Sequence, residues 1–179
     1  RGAIFVDGRA VAITSPAEAI RPNIGIGLMP EDRKTEALFL NLDGKHNTSL
    51  PVIERFRRAA LIETAREAAA VAEVFDRVEV ETRALWTPVK SFSGGNQQKI
   101  AIAKWLFAGS RILLLFDPTR GIDVGTKHEL YVLMRSYAEA GGSILLHSTE
   151  IPELVHLCDR VIVLYAGRIV AEIAASALT

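Results

Sequence analysis

Apolar positions along this chain change period several times, and the changes mark out its elements. Ala3 to Val6 alternates and stops at Asp7-Gly8, and Val11 to Thr14 reads as a second short strand. Ser15-Pro16 reads as a helix start, with a hydroxyl at the cap and a proline whose fixed φ and missing N–H suit the first turn. Ile24 to Met29 reads as a strand halted by Pro30, while Leu38 to Pro51 carries no clean period. Leu61 to Phe75, rich in alanine, leucine, glutamate and arginine, has helical spacing, and Val78 to Glu81 alternates too briefly to choose strand or helix. Beyond Gly94 the pattern sharpens. It predicts a helix to about Phe107, a strand over 111–116, a helix from Lys127 to Ala138 and a strand from Ser143 to Leu146. A short helix near Ile151 and strands Arg160 to Tyr165 and Ile169 to Ile173, around the turn Ala166-Gly167-Arg168, complete the reading. Strands alternating with helices predict an α/β fold, a mainly parallel sheet covered on both faces, with ligands at the carboxyl ends of strands. Phe116 and Asp117 stand at one such end and His147 to Glu150 at another. No internal repeat, low-complexity tract or long linker interrupts the chain.

Composition narrows the classes. A chain of 179 residues with 49% hydrophobic content can bury one sizeable core. With 21 basic and 21 acidic side chains it has no overall field to gather nucleic acid, which is not an expected partner. The local run Arg55-Phe56-Arg57-Arg58 is read as a solvated helix start or a partner contact. A single cysteine, Cys158, rules out an internal disulfide and suits a reducing compartment, and its neighbours Leu157 and Val161 predict an inert buried thiol. No apolar run approaches the roughly 20 residues that span a bilayer, and no signal-peptide pattern is present, so any membrane role is expected to pass through a partner. Arg1-Gly2 leads directly into the first strand without an initiator methionine, and the chain is read as a fragment.

Two segments carry the chemistry. Ser93-Gly94-Gly95-Asn96-Gln97-Gln98-Lys99 puts a hydroxyl and two glycines at a helix start, where unpaired N–H groups and the positive dipole end favour an anion. Glycines let a phosphate approach the backbone, and Asn96 and Gln97 add neutral donors. Ile112-Leu113-Leu114-Leu115-Phe116-Asp117 is a buried strand that delivers an acid at its carboxyl end, followed by Pro118-Thr119-Arg120-Gly121-Ile122-Asp123. Ser-Gly-Gly alone would fit a simple capped helix after the Pro88 turn; the whole run, followed by that strand and turn, is far more specific. Together the segments resemble the signature motif and the Walker B strand and D-loop of ABC-type ATPases. The Asn-Gln-Gln-Lys continuation is similar to the sugar-import branch of that family, the ribose, galactose and xylose type, and the resemblance runs from about Ile4 to Ala171.

That resemblance implies a three-layer P-loop NTPase-type α/β sheet with a small helical subdomain at about 36–90. Residues 1–179 would then be a partial nucleotide-binding domain, the C-terminal one of a fused pair. It implies ATP and Mg2+ as cofactors. The implied partners are membrane permease subunits, a second ATPase domain, fused or dimeric, and indirectly an extracytoplasmic sugar-binding protein, with a peripheral place on the cytoplasmic face of the plasma membrane. The signature acts in trans in this family, so Ser93, Gly94, Gly95, Asn96 and Gln97 would cover the γ-phosphate of an ATP held by the opposing domain. Asp123 matches the D-loop acid that speaks to that opposite site, or is a turn acid capping the next helix. Segments 32–60 lie where the family's helical subdomain meets the permease, and Leu38, Phe39 and Leu40 suit either that docking or a local core.

The departures from the family pattern are as informative. The phosphate cradle G-x-x-x-x-G-K-[ST] is absent, because the only Gly-Lys pair is Gly44-Lys45 and position 39 is Phe. That loop normally precedes the first strands, so it is read as missing with the N-terminal part of the domain. Aligned on Pro118-Thr119, Asp117 falls at the catalytic glutamate and Phe116 at the magnesium-associated aspartate. Asp117 is the candidate to hold the attacking water or Mg2+, with a shorter reach, and Phe116 has no carboxylate to offer. Thr149 falls at the switch histidine, while His147, two residues early, is read as a packed or hydrogen-bonded residue. Glu31 takes the Q-loop position, where a carboxylate can join metal binding through water but repels phosphate. His46, His128 and His156 have no metal-ligand spacing. The expectation is an ATP-binding subunit whose ATP hydrolysis powers sugar import, with its own site degenerate and the isolated fragment inactive. The alternatives are a non-catalytic regulatory or structural half and a DNA-maintenance ABC-type ATPase, whose long coiled coil this sequence lacks. The sugar itself is not specified.

Overall fold

A computed structural model describes residues 2–177. Strands β1 (Ile4–Val6) and β2 (Arg9–Val11) form an antiparallel hairpin, and Asp7 and Gly8 turn it with φ of 49° and 72°, the double-positive turn that matches strand twist. Helix α1 (Pro16–Ile20) starts as its sequence predicts, with Ser15 accepting the Glu18 N–H and proline in the first turn. Strand β3 (Ile26–Met29) leads to a short π-helical turn, Arg33–Ala37, capped by Asp32. The stretch without a period contains α2 (Gly44–Ser49), which the Asp43 carboxylate caps by accepting the His46 N–H at 2.8 Å. A 3-10 segment, Leu50–Phe56, then gives way to β4 (Arg57–Arg58) and β5 (Leu61–Ile62), a two-rung hairpin. Helix α3 (Thr64–Arg77) therefore starts three residues later than its composition predicts, and Val78 to Glu81 is neither strand nor helix but a turn with Glu79 at φ 55°.

Helix α4 (Gly94–Ala108) and strand β6 (Ile112–Phe116) fall close to their predicted bounds. Helix α5 (Val124–Glu139) begins earlier than expected because Asp123 caps it. Strand β7 (Ser143–His147), helix α6 (Ile151–Leu157) and the antiparallel pair β8 (Arg160–Tyr165) and β9 (Arg168–Ala174) follow. The parallel sheet has the order β3-β6-β7, with Ile26 opposite Ile112 and Ile112 opposite Ser143. Among the described residues the other strand pairs are antiparallel hairpins outside it.

Side chains of β3, β6 and β7 alternate between two faces. Met29, Leu113 and Leu115 face the helices and are 0–2% exposed, packed with Ile100 and Ala103 of α4 and Leu130 and Met134 of α5. On the opposite face Leu28, Leu145 and Phe116 are 45%, 61% and 42% exposed. Helix α4 is buried on almost every side because α2 and α3 cover its other flank, with Val71 and Phe75 in the same core. The segment that contains α2 and α3 departs and returns at one place. There Val89 N–H donates to Leu42 O at 2.9 Å, Lys90 N–H donates to Leu40 O at 3.0 Å, and Asp43 pairs with Pro88.

Candidate functional site

The carboxyl ends of β3, β6 and β7 and the start of α4 converge, and most of the predicted site residues lie there. Asp117 follows β6 at φ 42°, an uncommon conformation for a residue with a side chain, and is 6% exposed. Its N–H donates to His147 O at 2.8 Å. Its Oδ1 accepts from Thr149 twice, from the backbone N–H at 2.7 Å and from the hydroxyl at 3.0 Å. Its Oδ2 lies 3.5 Å from His147 Nδ1, and the His147 ring stacks on Phe116 with centroids 5.6 Å apart. The two residues expected to be catalytic, Asp117 and Thr149, are thus direct partners, and His147 joins them from the exposed face of the sheet.

The signature segment forms a capped helix start. Ser93 Oγ accepts from Asn96 N–H and from its side-chain amide, each at 3.4 Å. Both glycines answer close approaches within the chain. A Cβ on Gly94 would lie 2.6 Å from Arg33 Nη2, and one on Gly95 would lie 2.5 Å from Thr126 Cγ2. Gln97 turns inward: it is 5% exposed and its amide donates to Val89 O at 3.3 Å and Phe92 O at 3.1 Å, holding the loop before the helix. Gln98, likewise buried, donates to Pro118 O, so the helix start is tied to the turn after β6.

Glu31 is half exposed and forms an ion pair with Arg120, while Arg33 Nη1 donates to Arg120 O at 3.3 Å. Arg33 Nε is buried without a hydrogen-bond partner among the described residues, and burial pulls the guanidinium pKa down. Asp123 caps α5: Oδ1 accepts Thr126 N–H at 3.0 Å and Oδ2 accepts its hydroxyl at 2.9 Å. Those bonds, the backbone one first, hold the Asp123 carboxyl below its ordinary range. The same Thr126 presents its methyl to Gly95, so cap and signature share one threonine.

Sequence reasoning missed Glu153. It lies in the first turn of α6, is 2% exposed, and accepts hydroxyls from Thr119, Tyr131 and Ser148. A buried acid flanked by hydroxyl residues at 119, 131 and 148 follows no period, and only a rule that pairs every buried charge would have flagged it.

Among the described residues no group of three or more His, Cys, Asp or Glu side chains is placed to hold a metal ion. Asp117 by itself is no metal cage, because one of its oxygens already accepts two hydrogen bonds. Cys158 is half-buried rather than sealed, and burial pushes its thiol pKa up, as an inert thiol requires. Among the described residues no helix is long and apolar enough to cross a membrane.

The family model described as ABC transporter matches residues 1–120. The chain is 48% identical over 99% of its length to the ribose import ATP-binding protein RbsA 1 of Mesorhizobium japonicum, of which it covers 35%. It is 41% identical over 99% of its length to the ribose import ATP-binding protein RbsA of Bacillus subtilis, of which it covers 36%. It therefore spans about a third of the length of these curated relatives. Among solved structures, a nucleotide-free ATP-binding cassette from an ABC transporter superposes with a TM-score of 0.82 at 14% identity, covering 99% of this chain and 72% of that one. A dimeric ATP-binding cassette in a post-hydrolysis state with ADP and Pi gives 0.77 at 24% identity, covering 98% and 74%.

Proposed function

For this chain, which belongs to the ABC transporter family, we propose the role of an ATP-binding part of a sugar importer, of the ribose type its relatives are named for. Residues Ser93 to Asn96 close over the γ-phosphate of an ATP held by a second nucleotide-binding domain, fused or associated. The start of α4 carries this reading. It offers unpaired N–H groups and the positive dipole end without side chains at Gly94 and Gly95, and Arg33 lays a cation across it. Gln97 serves the site by shaping the loop in front of it. Asp123 holds the turn that faces the same partner site, and Glu31 tethers that turn through Arg120.

The chain's own site is a weak one. Asp117 is the acid at the end of β6, its neighbour Phe116 has no oxygen, and Thr149 stands where a proton-carrying ring would be needed. Magnesium would come with the triphosphate, since Mg2+ commonly keeps waters and takes one or two carboxylates plus phosphate oxygens. Residues 1–179 act as part of one nucleotide-binding domain, and about 36–90 form the helical region that docks on a membrane permease. The permease in turn receives sugar from an extracytoplasmic binding protein, which places this domain at the cytoplasmic face of the membrane.

Gly94 gives the test. In the full-length protein assembled with its permease, Gly94→Asp should lower ATPase activity by at least about tenfold, because its carboxylate would draw off the Arg33 guanidinium and put a negative charge beside the covered phosphate. Gly94→Ala displaces only the flexible tip of Arg33 and should cost far less. Unchanged ATPase activity in Gly94→Asp, with a native circular dichroism spectrum, would leave Gly94 a packing position and overturn the proposal.

A further inference from the structure

Glu153 is a carboxylate sealed in protein, 2% exposed, and what it meets is hydroxyls. Thr119 and Tyr131 donate to Oε1, the latter at 2.8 Å, and Ser148 donates to Oε2 at 2.6 Å. Ser148 Oγ in turn accepts the Glu150 N–H at 3.0 Å. Burial first, and Glu153 next, push the Tyr131 phenol up to about 12, so it remains a donor at neutral pH. Sealing a charged acid inside is costly, and an apolar side chain would serve packing alone at least as well.

What the carboxylate adds is placement. Thr119 is two residues beyond Asp117, and Ser148 immediately precedes Thr149. The clamp therefore grips both segments of the Asp117–Thr149 pair from outside the pair itself. Asp117 needs such support, because its φ of 42° costs on the order of 1 kcal/mol or more and persists only where the surroundings over-determine it. The gripped turn continues through Arg120 and Gly121 to Asp123, beside the signature.

We propose that Glu153 is a positioning residue that locks the turn 117–123 to the loop 148–150 and so sets, at once, the reach of Asp117 and of the Asp123 turn. The proposal rests on the nucleotide-site reading above. Because it serves both sites, its removal should cost more turnover than loss of the Asp117 charge alone.

The test uses the full-length, assembled protein and the variants Glu153→Gln and Ser148→Ala. Glutamine keeps the size but has one acceptor oxygen in place of two, so either Ser148 or the Thr119 and Tyr131 pair must lose its acceptor. In Glu153→Gln, kcat for ATP should fall about tenfold while KM stays within about twofold. Amide exchange at Asp117 and Thr149 should quicken about tenfold, with Leu113 and Leu115 in β6 still protected. A folded Glu153→Gln with unchanged kcat and unchanged exchange at those two amides overturns the proposal. Should that variant not fold, Ser148→Ala decides, with about threefold in kcat and the same local exchange expected, and no change in either counting against the clamp. A wild-type protein that does not hydrolyse ATP defeats the nucleotide reading alone, since exchange still tests the clamp.

Discussion

At the scale of single residues, Asp117 has two jobs that can be separated. Its Oδ1 anchors Thr149, a task an amide oxygen performs equally well, while its charge matters only if the site beside it works. Asp117→Asn in the full-length transporter should therefore change steady-state turnover by only about threefold, well short of the 10²–10⁴ that removal of a working general base costs. Near-total loss of ATPase activity with nucleotide binding intact would make Asp117 a working catalytic acid. Lys104 offers a test of stability. Burial lowers its pKa from 10.5 to about 8, while its amine donates to Ala37 O at the end of the π-helical turn. The unfolded chain holds that proton up to about 10.5. Between about pH 8 and 10.5 the unfolded state binds more protons, so this residue makes stability rise with pH across that window, on the order of 1–3 kcal/mol. Denaturant unfolding at pH 7.5 and 10 should show the rise in the wild type and lose it in Lys104→Met.

At the scale of elements, the link between α2 and α3 is ionic. Lys45 and Glu67 are 3% and 1% exposed and 2.9 Å apart, and Ser49 also donates to Glu67. Burial alone would raise the Glu67 pKa, but the Ser49 and Lys45 contacts outweigh it and the carboxyl stays below its ordinary range. Lys45→Met strands that acid and should cost about 3–5 kcal/mol, whereas Lys45→Met with Glu67→Leu should recover most of the loss, as thermal unfolding would show. Elements differ in how far the sequence announced them. The α/β alternation, β6, α4 and the Ser15 and Ser93 caps were legible because each has a period or a capping residue of its own. Helix α2 was not, since its six residues carry a cap but too few turns for a period. The inward turn of Gln97 and the Glu153 clamp were illegible for a related reason: each depends on groups far apart in sequence that share no spacing.

At the scale of the whole molecule, α4 is the common wall of two bodies of structure, the sheet on one flank and α2 and α3 on the other. Its N-terminal turn is also the proposed meeting point with ATP, so a push on either flank reaches the signature through a single rigid rod. The paired backbones at Leu40 to Asp43 and Pro88 to Lys90 have a different consequence. A chain that leaves and rejoins through one narrow neck behaves as an insertion, free to diverge in length and surface while the frame outside keeps its register. Provided its face toward α4 is retained, that loop of structure can be recut on its outer surface, and the sheet and α4 beneath need not be rebuilt.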